Sequence, residues 1–331
     1  MSAARPLFLR RLIPVLAVVA LGLAACGDDG DSDAGDSDSA STSESSMESS
    51  SAPAGEMSLT VGGANFTEML IMEQLYGQLL TKAGYTIDYK TADNREIYAK
   101  SLESGEIDVV PEYAATMAEY LNLDANGPDA TPIATNDAAS TVAAMTPLAD
   151  AKGLVVLQPA AAADQNGFAV TKDFAEKNSL KTLSDLAALG QPITLAATEE
   201  CPDRPFCQPG LEDTYGLTIK EVLPLGFGSP QAKQAVLDGK AQLVLTGTTD
   251  GTLDGLGLVL LEDDKHLQLA DNLVPVVNKA SAGTPELADA LNGLSAVLTT
   301  EDLSQLIVRV DGDRELPEDV AKDYLTQKGL I

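Results

Sequence analysis

The run Val61-Gly62-Gly63-Ala64-Asn65-Phe66-Thr67-Glu68 constrains this chain more than any other stretch. Ser58 to Gly62 reads as a short strand. Phe66 to Ala83 then places Phe66, Met69, Leu70, Leu75, Leu79 and Leu80 near a 3.6-residue period, so a strand is predicted to turn directly into a long helix. Asn65 is a suitable N-cap, and Glu68, three residues on, completes a capping-box pattern. Such a helix start points free N–H groups at whatever lies before it. A second junction follows in Gly105-Glu106-Ile107-Asp108-Val109-Val110-Pro111-Glu112-Tyr113. Its strand, Ile107 to Val110, meets Pro111, which is expected to end it as a central strand, and Tyr113 follows at the carboxyl end. In open α/β sheets ligands bind in the crevice at those ends.

The same alternation continues through the chain. Strands are predicted at Tyr85–Lys90, Gly153–Leu157, Pro192–Ala196, Leu223–Phe227, Ala241–Leu245, Leu258–Leu261 and Leu273–Val277. Helices are predicted at Glu96–Ser104, closed by Gly105, and at Ala114–Leu123 and Asn136–Asp150. Thr182 with Asp185, Ser229-Pro230 and Thr284-Pro285 are further helix starts, and two helices near Thr300–Val310 and Pro317–Lys328 end the chain. Strands alternating with helices argue an α/β protein with mainly parallel sheets. A length of 331 residues suits two domains.

Asn65-Phe66-Thr67-Glu68 before a long helix, Ser104-Gly105-Glu106-Ile107-Asp108 and Pro111-Glu112-Tyr113-Ala114-Ala115-Thr116 together resemble the substrate-binding proteins of glycine betaine/choline/carnitine-type ABC transporters. Further matches are Asp164-Gln165-Asn166-Gly167-Phe168, then Arg204, Gly210-Leu211 and Tyr215-Gly216, and finally Thr248-Thr249-Asp250-Gly251. The likeness runs from about Leu59 to Ile331. It implies a two-lobed periplasmic-binding-protein-like fold of type II with the ligand cleft between lobes. Lobe 1 would hold residues 57–157 plus 252–331 and lobe 2 residues 158–251. It implies a receptor that captures a small osmoprotectant, closes by hinge motion and docks on a permease driven by an ATPase.

The chemistry of such a ligand selects candidate residues. A quaternary ammonium has no N–H to donate and is held by aromatic faces. A carboxylate wants Arg, amide or hydroxyl donors. Tyr113 and Phe66 are the aromatic candidates. Thr67, Glu68, Thr116, Gln165, Asn166, Thr248 and Thr249 are the polar ones, and Arg204 is placed to meet an anionic group or to form a loop salt bridge. Tyr85, Tyr89, Tyr120 and Tyr215 are read as packing. Family members that bind betaine or choline use several aromatics in one cage, and here Gly247 stands where an aromatic is often found. The same fold would equally serve another polar solute, or a cell-surface sensing or interaction protein.

Residues 1–25 carry Arg5, Arg10 and Arg11 before an apolar run, Leu12 to Ala25, that is too short to span a bilayer. Leu23-Ala24-Ala25-Cys26 resembles a bacterial lipobox, which implies a signal peptide and lipidation at Cys26, hence an extracytoplasmic protein held on the membrane by acyl chains. Residues 26–56 are Ser-, Asp- and Gly-rich and are expected to form an unstructured acidic tether. Its Asp spacing lacks the Glu of a calcium loop. Outside the cytoplasm, Cys201 and Cys207 are expected to form a disulfide. A zinc site would need further ligands, and the one histidine is His266. That single histidine leaves no Ser/His/Asp or Cys/His arrangement, and no Walker loop occurs, so neither enzyme activity nor a cofactor is expected. A net charge of −29 excludes a general affinity for nucleic acid.

Overall fold

The computed structural model describes residues 57–331. The expected signal peptide 1–25, the lipidation site Cys26 and the tether 26–56 lie outside the described residues. In chain order the strands are β1 (Ser58–Ala64), β2 (Thr86–Ala92), β3 (Val109–Tyr113), β4 (Leu154–Val156), β5 (Asn166–Thr171), β6 (Ile193–Ala197), β7 (Ile219–Pro224), β8 (Leu243–Gly247), β9 (Leu258–Leu261) and β10 (Leu273–Asn278). They form two five-stranded sheets, ordered β2-β1-β3-β10-β4 and β7-β6-β8-β5-β9.

The two sheets are built alike. β1 runs parallel to β2 and β3, as β6 does to β7 and β8. β10 is antiparallel to β3 and β4, and β5 to β8 and β9. The expectation of mainly parallel sheets is thereby corrected. In each sheet one strand comes from a segment that has just crossed from the other sheet, and it enters from the opposite end. The crossings lie side by side. Ala163 bridges Asn272, the Asp164 amide donates to the Asp271 carbonyl at 3.2 Å, and the Leu273 amide donates to Ala162 at 2.9 Å. The chain leaves the first sheet later than the expected boundary at 158, since Ala160 and Ala162 pack in its core. It also returns later than 252, because β9 pairs with β5 in the second sheet.

Three helices start just past the carboxyl ends of β1, β2 and β3: α1 (Thr67–Lys82), α2 (Arg95–Ser104) and α3 (Ala114–Asn126). α1 buries Ile71, Met72, Leu75 and Leu80 in the first core with Val61, Val109 and Val276. A glycine, Gly77, is tolerated mid-helix because a Cβ there would stand 2.1 Å from the Tyr89 hydroxyl. The second core gathers Phe168, Leu195, Leu211 and Leu243. Three predicted caps hold: Thr182, Ser229 and Thr284 each accept from a backbone amide of the helix they start, and Asn94 does the same for α2.

Two local expectations fail. Pro111 lies inside the central strand β3, directly opposite Pro275 of β10. Two prolines cannot exchange ladder bonds, so this pair occupies a non-hydrogen-bonded position with both missing donors directed away from each other. The N-cap of α1 is Phe66, without a side-chain hydrogen bond, and the Asn65 amide instead donates to Ala92 on β2. Glu68 does not close a capping box, because it is drawn into the interior.

Candidate functional site

A cavity of about 800 Å³ opens between the two sheets at the carboxyl ends of β1, β3 and β6. Its aromatic wall is assembled from both lobes. Phe66 stands 5.1 Å from Phe227, ring centroid to centroid, at an interplanar angle of 55°, and 6.4 Å from Tyr113. Tyr98, Tyr120 and Phe206 also line the cavity. Phe66 and Phe227 reach it by the same local logic, an aromatic in the turn between a strand end and a helix start. For Phe227 the turn is Gly226-Phe227-Gly228, with φ of 92° and 54° at the glycines, before the Ser229-capped helix.

Beneath the aromatics lies a buried polar layer. Arg95 of α2 meets Glu112 of β3 through two nitrogens, at 3.1 and 2.9 Å, and also donates to the Thr116 hydroxyl at 2.8 Å. Tyr98 donates to the same carboxylate at 2.8 Å. Burial opposes the charge on Arg95, but the Glu112 carboxylate beside it raises the guanidinium above its usual range. Glu68 accepts from the Tyr113 hydroxyl and from the Thr249 hydroxyl, each at 2.7 Å, and so joins the two lobes. Burial, with Asp164 nearby, pushes the Glu68 carboxyl well above the ordinary carboxylate range.

Six of the sequence candidates line the cavity: Phe66, Tyr113, Thr116, Gln165, Asn166 and Arg204. Four have other partners. Thr67 donates to Asp311 at 2.7 Å, Glu68 and Thr249 bond each other, and the Thr248 hydroxyl donates to Asp164 at 3.1 Å. Arg204 crosses from lobe 2 to Glu96 on α2 at 2.8 Å and holds Glu200 at 3.1 Å, so it is a salt-bridged residue at the cavity rim. Asn166 and Gln268 both donate to the Phe206 carbonyl, at 3.0 and 2.9 Å, fixing that aromatic. Tyr215 packs away from the cavity, its hydroxyl bonded to Asp263. Tyr120, read as packing, is a lining residue. At Gly247, the position of an expected aromatic, a Cβ would lie 2.5 Å from Asp164 Oδ2, so a side chain there would have to displace that carboxylate. Sequence reasoning missed Phe206, Phe227 and Asp271. Phe227 was within reach of the strand-end rule that selects Phe66, and the other two carry no local signal.

The structure joins Cys201 and Cys207, whose Cα atoms stand 5.2 Å apart, within the ordinary span of a disulfide. The bridge closes the loop that carries Arg204 and Phe206. Reduction, or replacement of both cysteines by serine, is expected to cost about 2 kcal/mol for so short a loop. Urea unfolding with and without reductant checks this, and coincident curves would show that the bridge constrains nothing.

Two mixed α/β sheets of matching order, linked by two adjacent crossings and flanking an aromatic cavity, define a type II periplasmic-binding-protein fold with a cleft between its lobes. The profile of the OpuAC family, described as the substrate binding domain of ABC-type glycine betaine transport systems, matches residues 57–327, and the chain belongs to this family of extracytoplasmic solute-binding proteins, which are not enzymes. It is 28% identical over 287 residues to a glycine-betaine-binding protein of Pseudomonas aeruginosa, covering 83% of this chain and 89% of that one. It is also 28% identical over 281 residues to the glycine betaine-binding protein YehZ of Escherichia coli, covering 81% and 90%. The apo structure of YehZ superimposes with a TM-score of 0.56 at 27% identity, covering 82% of this chain and 99% of the other. Among the described residues no helix is long and apolar enough to cross a membrane.

Proposed function

We propose that this chain captures a small quaternary-ammonium osmoprotectant of the betaine, choline or carnitine type in the interlobe cavity. It then delivers the solute to the permease of an ABC importer driven by a cytoplasmic ATPase. The observation that carries this reading is the aromatic wall of Phe66, Tyr113 and Phe227, drawn from both lobes. A methylated ammonium offers no N–H, and aromatic faces are its natural partners. The names of the relatives support the same class. The paired crossings at Ala162–Asp164 and Asp271–Leu273 are the hinge about which the lobes close. Acylation at Cys26 tethers the protein to the outer face of the membrane, and loss of membrane association in Cys26→Ala tests that anchor.

A thermal-shift titration with glycine betaine, choline, carnitine, polyols and common amino acids tests the ligand class. A ligand at a hundredfold its dissociation constant adds about 2.7 kcal/mol of stability. The expected shift is confined to quaternary amines and is lost in Phe66→Ala and Tyr113→Ala. A response to another polar solute instead would keep the receptor and replace the ligand. Silence across the whole panel would favour a sensing or interaction protein.

A further inference from the structure

The interlobe cavity is lined by two buried acids that the proposed function does not use. Asp164 and Asp271, both 5% exposed, stand at the lobe junction and line it. Each is held through one oxygen. Asp164 Oδ1 accepts from the Thr248 hydroxyl and the Thr249 amide, both at 3.1 Å. Asp271 Oδ1 accepts from the Thr116 amide at 3.0 Å and its hydroxyl at 3.4 Å. Among the described residues, neither Oδ2 has a hydrogen-bond partner and neither is fully sealed, and both side chains line the cavity.

The positive charges of the cavity are already matched. The cationic side chains lining it are Arg95 and Arg204, and no lysine or histidine joins them. Arg95 is paired with Glu112, and Arg204 with Glu96 and Glu200. A ligand carboxylate would therefore meet two arginines with carboxylates already bound and two aspartates presenting free oxygens. A ligand that carries only positive charge would meet aromatic faces and unpaired acid.

On the reading proposed above, we infer that Asp164 and Asp271 make this cleft selective for quaternary ammonium ligands of net positive charge, of the choline type, over zwitterionic betaines. The selection is electrostatic, since both ligand classes present the same methylated head to the aromatic wall. Burial pushes the Asp164 carboxyl up to about 6 and the Asp271 carboxyl up to about 7. The charged groups facing them are Glu68, which repels both, and Arg95, Glu112 and Asp164, which act on Asp271. Near neutral pH the empty cleft thus retains part of its protons. A bound cation favours the ionised forms, so its binding releases protons and tightens as pH rises through this range.

Calorimetric titration of the purified protein with choline chloride and with glycine betaine tests the inference. The wild type is expected to bind choline at least about tenfold more tightly, as one close charge pair in a partly buried site implies. Choline affinity should rise from about pH 5.5 to about pH 8 while betaine affinity does not. Asp271→Asn and Asp164→Asn, which keep the shape and the accepting oxygen, should each shrink the choline-to-betaine ratio by about tenfold. Should either variant fail to fold, the wild-type ratio and its pH dependence still decide. Betaine bound as tightly as choline, or a ratio unmoved in folded Asn variants, overturns the selectivity and leaves the proposed function standing. Binding of neither ligand overturns both.

Discussion

Arg95→Met is expected to lower the unfolding free energy by about 3–5 kcal/mol, the range for stranding one member of a buried ion pair. Glu112 is 0% exposed and Arg95 7%, so neither charge has water to fall back on. Without the guanidinium, the carboxylate keeps the Tyr98 hydroxyl at 2.8 Å and the Tyr113 amide at 3.1 Å, two neutral donors for a full charge. Urea denaturation measures the loss. The double variant Arg95→Met/Glu112→Met should recover much of it, because both desolvation penalties vanish together. Lys90→Met is the control. Its partner Glu106 is 2.7 Å away, but the two side chains are 47% and 64% exposed, and the change should stay within about 0.5 kcal/mol. Equal losses in Arg95→Met and Lys90→Met would mean that the buried pair has no special standing. The pair also has a functional side. It ties α2 to the end of β3, and the Arg95 bond to Thr116 fixes the first turn of α3, so Tyr113 and Thr116 are held in place from below. Ligand affinity should therefore fall in Arg95→Met even under conditions where the protein stays folded.

What could be read from the sequence was local. A strand ending in a turn and a capped helix is written in a handful of adjacent residues, and the starts at Thr182, Ser229 and Thr284 appear where those residues lie. Phe66 and Tyr113 reach the cavity because such junctions sit at sheet ends. What could not be read was set by distant partners. Glu68 has the spacing of a capping residue, yet a carboxylate at that position either turns back to its own helix or crosses the interior. The choice rests on Thr249, which follows it by 181 residues. The sense of β5 and β10 depends on where the chain re-enters a sheet after crossing, which no window of sequence contains. β9 is apolar in either lobe, and only its pairing with β5 assigns it. The candidate site shows the same division. The aromatic at a turn was legible in Phe66 and accessible by the same rule in Phe227, whereas Asp271 becomes part of the cavity only through the ribbon that sets it beside Asp164.

Glu73 on α1 is expected to make the protein less stable as pH rises, and Glu73→Met to remove that dependence. The side chain is 2% exposed and lies against β1, where a Cβ added to Gly63 would stand 3.1 Å from Oε1. Oε1 is buried without a hydrogen-bond partner among the described residues. Burial alone pushes the carboxyl up to about 8, against about 4.3 for a free side chain. The folded state therefore keeps its proton over a range in which the unfolded chain has lost it. Stability from this group is complete below the unfolded value, declines by at most about 1.4 kcal/mol per pH unit between the two values, and is level above the folded one. Methionine fills a similar volume and has nothing to ionise, so near pH 7.5 the variant should be more stable by about 4 kcal/mol, and near pH 4 about equal. Asp164 and Asp271 shift in the same direction as Glu73, but both proteins contain them, and their contribution cancels in the difference between the two unfolding curves. Parallel curves from pH 4 to pH 8 would sink the prediction. They would require the ionised carboxylate to be solvated in the folded state, by water entering between α1 and β1 or by the helix giving way there. Proton exchange at the amides around Glu73 would then distinguish the two, because only the second exposes the backbone.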